Sequence, residues 1–78
     1  MKTTRYFDRI RLRPDQRIIK DAWISQVILN PESRSVQDDG RIRLWGPVPD
    51  MDNRVLRVVL LPDGVTVHNA FFDRSYSR

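Results

Sequence analysis

The stretch RVLRVVLLPDGVTVHNAFF, residues 54–72, decides the fold. Residues 54–61 read as a central strand, and Pro62-Asp63-Gly64 reads as a three-residue hairpin loop, proline presetting the turn and glycine supplying positive φ. Residues 65–72 then return antiparallel and close a meander. If Leu61 pairs with Val65, then Val58 lies opposite His68, Arg57 opposite Asn69 and Val59 opposite Val67.

Upstream, the period of two begins at Ser33. SRSVQ (33–37) leads into Asp38-Asp39-Gly40, a hairpin turn, and RIRLWG (41–46) returns from it. PVPDMDN (47–53) makes a longer connection, and closing it with Val48 near Arg54 sets Trp45 opposite Arg57 and Leu44 opposite Val58. Before the sheet, KDAWISQVILNPE (20–32), with Ile19 just ahead of it, spaces Ile19, Ala22, Trp23 and Val27 for a helix that starts at Asp21 and stops at Asn30-Pro31. The N-terminal TTRYFDRIRL alternates Tyr6, Asp8, Ile10 and Leu12 with arginines and reads as a short strand or extended arm, followed by a weak first helix that Pro14 breaks. The expectation is one α+β domain, residues 1–78, with N-terminal helices packed on one face of a four-stranded antiparallel sheet.

These registers sort the sheet into two faces. One carries Ile42, Leu44, Val48, Leu56, Val58, Leu60, His68, Ala70 and Phe72, an apolar surface for the helices. The other carries Arg41, Arg43, Trp45, Arg57 and Asn69, with Val59, Val67 and Phe71 among them. Arginines around an exposed indole hold phosphates while a base stacks on the ring. The plainer reading is that the arginine stems lie over neighbouring valines and stack on tryptophan without any ligand. On this register His68 is a neutral core histidine, with Asp73 or Asp8 as the groups able to fix its tautomer.

Composition narrows the choices. The chain has no cysteine and one histidine, so no disulfide framework and no zinc site is expected, and no cofactor motif is present. The three glycines each have a turn or bulge explanation. No apolar run reaches the length of a signal peptide or membrane span, which points to the cytoplasm. The net charge is +4, and every basic residue except Lys2 and Lys20 is arginine, a bias that suits RNA but that a GC-rich coding bias also produces.

The order of elements, a helix ending in NPE followed by DDGRIRLWG, LRVVLLPDG and TVHNAFFDR, resembles a family of small uncharacterised bacterial proteins distantly related to the RelE and BrnT toxins. The likeness covers residues 18–74. It implies a RelE-like fold and an RNA-binding or RNA-cleaving domain, with an antitoxin protein as partner. Carried onto this chain, the resemblance makes Arg57, Arg74 and Tyr76 the catalytic candidates, beside Arg41, Arg43, Trp45 and Asn69 as nucleic-acid-binding residues. The long lysine-rich helix of the ribosome-dependent members is missing, so ribosome docking is not implied. The competing expectation is a non-catalytic interaction module or homodimer using a strand edge or the Trp45 face.

Overall fold

The computed structural model describes residues 1–77. Three helices, α1 (Arg5–Ile10), α2 (Pro14–Arg17) and α3 (Asp21–Leu29), precede four strands, β1 (Ser33–Val36), β2 (Ile42–Val48), β3 (Arg54–Leu60) and β4 (Val67–Phe72). The strands form an antiparallel meander in the order β1-β2-β3-β4, so the chain is α+β as its patterning predicts. Among the described residues no helix is long and apolar enough to cross a membrane.

The core lies between the helices and one face of the sheet. Phe7, Ile10, Ile19, Ile24 and Val27 meet Leu44, Val48, Leu56, Val58, Leu60, Val67 and Ala70. Helix α3 crosses β2 and β3 closely because Gly46 offers no side chain beneath it: a Cβ there would lie 3.2 Å from Val27 Cγ2. Gly46 is thus a regular strand residue opposite Leu56, where a turn or bulge was expected.

Most of the segment expected to be an arm is helix. Thr4 caps α1, its hydroxyl oxygen accepting the Phe7 N–H at 3.1 Å, and the buried pair Phe7 and Ile10, three residues apart, sets the inward stripe. Only residues 2–4 remain extended. They run parallel to β4, where the Val67 N–H donates to the Lys2 carbonyl at 2.8 Å and the Thr4 N–H donates to the Val67 carbonyl at 3.0 Å. That pairing occupies the outer edge of β4 at its first residue, Val67. Pro14 opens α2 rather than ending a helix, its missing N–H costing nothing in the first turn. An Arg11–Asp21 ion pair ties the end of α1 to the start of α3.

The β2–β3 register is the expected one: Val48 faces Arg54, Trp45 faces Arg57 and Leu44 faces Val58. The β3–β4 register differs twice. The Leu61 N–H donates to the Thr66 carbonyl at 2.9 Å, so the connecting loop holds one residue more than expected. The pairing then shifts again between Val59 and Leu60: Leu60 faces Val67 while Val59 faces Asn69, which leaves His68 as the extra residue of a β-bulge. Beyond the bulge the two shifts add to two residues, so Val58 faces Ala70 and Arg57 faces Phe71, and because strand faces alternate with a period of two Ala70 and Phe72 keep their expected face. Between loop and bulge only the first shift applies: Val67 enters the core, fully buried, and His68 leaves it.

Asp63 explains the longer loop. Its carboxylate accepts the Val65 and Thr66 N–H groups, each at 2.9 Å, and the Thr66 hydroxyl. The Thr66 hydroxyl, then the two backbone donors, hold its pKa at about 2, below the ordinary 3.8. Because the folded value is the lower one, the stabilisation is complete above 3.8 and is lost as pH falls toward about 2. Thermal melts across this acid range are expected to decline more steeply for the wild type than for Asp63→Asn. Parallel declines would mean that the loop contacts add nothing to stability.

Candidate nucleic-acid interface

The sheet face turned away from the helices carries Arg43, Trp45, Arg57, Asn69 and Phe71, with Val59 only 7% exposed beneath the arginine stems. Strand pairing places them. Trp45 sits between its cross-strand partners Ser33 and Arg57, two residues along from Arg43 on its own strand, and Arg57 in turn faces Phe71. The Arg43 and Arg57 guanidinium carbons lie 5.8 and 5.6 Å from the Trp45 ring centre, and Arg57 also lies 5.2 Å from that of Phe71.

The C-terminal residues fold back over this face. Asp73 follows β4, its N–H donating to the Val55 carbonyl at 2.9 Å, and its side chain is 9% exposed. One carboxylate oxygen accepts the Trp45 indole N–H at 3.0 Å and lies 3.9 Å from Arg57 Nη1, while the other accepts from the Ser75 hydroxyl and N–H. The Ser75 hydroxyl, then the indole N–H, hold the Asp73 carboxyl below its ordinary pKa, with a smaller push from Arg57 and burial opposing them. Tyr76 stacks on Trp45 with ring centres 5.5 Å apart and planes 21° from parallel, and its hydroxyl bonds to Ser33. The indole expected to be open is therefore half-buried, and the ring on its far side is tyrosine.

Of the residues singled out by sequence, Arg43, Trp45, Arg57 and Tyr76 come together here. Arg41 and Asn69 lie toward the other end of the face, beside Tyr6 and His68. Arg41 pairs with Asp39 at 3.6 Å across the exposed turn. Arg74 is exposed in an adjoining groove that it lines with Asn53, Arg54, Phe72, Asp73 and Tyr76. His68 is not the core residue expected: its ring stacks on Tyr6, with centres 4.9 Å apart, and Nδ1 lies 3.1 Å from the Thr4 hydroxyl. Its polar partner is thus Thr4. Asp73 is engaged with Trp45 and Arg57, and Asp8 accepts from the Thr3 hydroxyl at 2.6 Å. Burial, then the charge of Arg41, hold the His68 pKa below 6.5, with Asp39 opposing.

Sequence reasoning missed Asp73 as the group organising this face. The signal available was local: an aspartate two residues before a serine at a strand end is an Asx-type stop, and its second oxygen stays free for a cross-strand partner. Compared with known proteins, the chain matches no family model, no curated protein and no solved structure.

Proposed function

We propose that the face built from Arg41, Arg43, Trp45 and Arg57 binds single-stranded RNA in the cytoplasm, in the manner of a RelE- or BrnT-like toxin domain. The observation that supports it is the run of guanidinium groups interleaved with stacked rings along one side of the sheet. Phosphates pair with the guanidinium groups, and a base extends the Trp45–Tyr76 stack at Tyr76, adding about 1–3 kcal/mol. RNA fits better than duplex DNA because a shallow sheet face accepts splayed bases and cannot enter a major groove.

The test is the salt dependence of binding to a labelled oligoribonucleotide, followed by anisotropy. Three neutralised phosphates on a single strand predict a fall in affinity of about 20-fold between 50 and 200 mM salt. A flat response would remove the arginines from the interaction.

A second reading, an interaction module that pairs with its own copy, is favoured by β1. It forms an outer edge of the sheet, with Val36 54% exposed, whereas the opposite edge is paired at Val67 by residues 2–4. Concentration-dependent dimers that persist at high salt, without RNA binding, are the outcome that would select it.

A further inference from the structure

The bulge that expels His68 from the core turns it into a cleft that the Trp45 stack does not use. This cavity, of about 340 Å³, is lined by Tyr6, Arg41, Arg57, His68 and Asn69, together with neighbouring side chains. Four elements converge on it: α1 brings Tyr6, the β1–β2 turn brings Arg41, β3 brings Arg57 and β4 brings the other two. The histidine is anchored. Tyr6 covers one face of its ring, Thr4 holds Nδ1, and Thr4 is itself fixed as the cap of α1 by the Phe7 N–H. Nε2 makes no hydrogen bond among the described residues. A bulge that breaks a strand ladder in order to aim one polar ring between two arginines is a device for placing that ring.

We propose that this cleft is a phosphate-binding subsite, with Arg41 and Arg57 supplying fixed positive charge and His68 supplying a hydrogen bond that strengthens when its ring is protonated. The proposal rests on the RNA reading for its natural ligand, but its chemistry is that of any phosphate. Arg57 reaches both this cleft and the Trp45 ring, so a strand lying on the face would set a base on the stack and a neighbouring phosphate in the cleft. The charged and titratable groups facing His68 are Arg41 and Arg57, Tyr6 and Asp39, the last already paired with Arg41. The burial of the ring and the charge of Arg41 disfavour its protonated form, and a bound phosphate reverses that balance.

His68 is the only histidine in the chain, so its ring resonances can be followed by NMR without assignment ambiguity. The intact protein is titrated with inorganic phosphate, adenosine 5′-monophosphate and a short oligouridylate, each over a pH series. The expected result is that all three shift the His68 ring signals and raise its apparent pKa. Arg41→Ala should weaken the response about tenfold, in line with the loss of one charge-assisted hydrogen bond. His68→Gln, which keeps a hydrogen-bonding side chain, should bind labelled oligouridylate, whose phosphodiesters do not titrate in this range, with a flat pH profile when followed by anisotropy. A response to inorganic phosphate and the mononucleotide but not to the oligonucleotide would uphold the subsite and sink the RNA reading. Oligonucleotide binding by anisotropy with His68 signals unmoved, and no response to phosphate, would overturn the subsite and leave the RNA reading standing.

Discussion

Replacing Phe7 by alanine is expected to cost about 3–5 kcal/mol of stability, the range for truncating a buried aromatic side chain. Phe7 is 1% exposed and lies at the centre of α1, the helix that packs most extensively on β4 among the described residues. Helix α1 has six residues, far fewer than an isolated helix needs in water, so its existence depends on this packing. The loss spreads through two further contacts. The Arg11 guanidinium carbon lies 4.9 Å from the Phe7 ring centre, and Arg11 also pairs with Asp21 at the start of α3. The Phe7 N–H is the donor held by Thr4, which in turn holds His68. For a domain whose whole stability is of the order of 5–15 kcal/mol, such a change removes about a fifth or more. Urea unfolding should show a lower midpoint with an unchanged slope, while Leu12→Ala, at a position 69% exposed, should stay within about 0.5 kcal/mol of wild type. Equal midpoints for the two variants would mean that α1 unfolds apart from the core.

How far the sequence carries the structure follows from where alternation is strong. From Ser33 to Leu60 one face is apolar and the other is not, so a one-residue slip would expose a whole row of Leu and Val side chains, and the β2–β3 register is legible for that reason. Between Leu61 and His68 the local pattern is VTV, which suits either face. There the register was set by Asp63 bonding to Thr66 and by a bulge, neither of which hydrophobic alternation encodes. At the N-terminus the visible alternation of Tyr6, Asp8, Ile10 and Leu12 concealed the pair that is buried, Phe7 and Ile10, and the Thr4 cap was the signal to follow. The arginines and Trp45 were legible as one face because they lie on β2 and β3. The C-terminal fold-back was not, since it depends on an aspartate finding an indole N–H 28 positions away in the chain.

That fold-back sets the largest functional effect. Arg57→Ala is expected to lower affinity for single-stranded RNA by about 10- to 100-fold at low salt, the equivalent of one lost charge-assisted contact. Arg57 is singled out because it touches every part of the face: the Trp45 and Phe71 rings, the Asp73 carboxylate and the His68 cleft. Its side chain is only 23% exposed, so the alanine variant loses packing as well as charge. Arg57→Lys separates the two roles. Lysine keeps the charge but neither the planar fork nor the ring stacking, and affinity should fall between wild type and alanine. Asp73→Asn should act in the opposite direction. The amide oxygen can still accept the indole N–H, while the amide NH2 replaces the oxygen that accepts from Ser75 and gives up the Ser75 N–H bond. The carboxylate that competes with phosphate for Arg57 is gone, so RNA should bind more tightly. Opposite signs at two residues 3.9 Å apart are hard to produce by misfolding, which would weaken binding in both. If Arg57→Ala leaves RNA affinity unchanged at low salt, the basic face is a packing arrangement of stems over Val59 and rings, and the interaction module gains the argument.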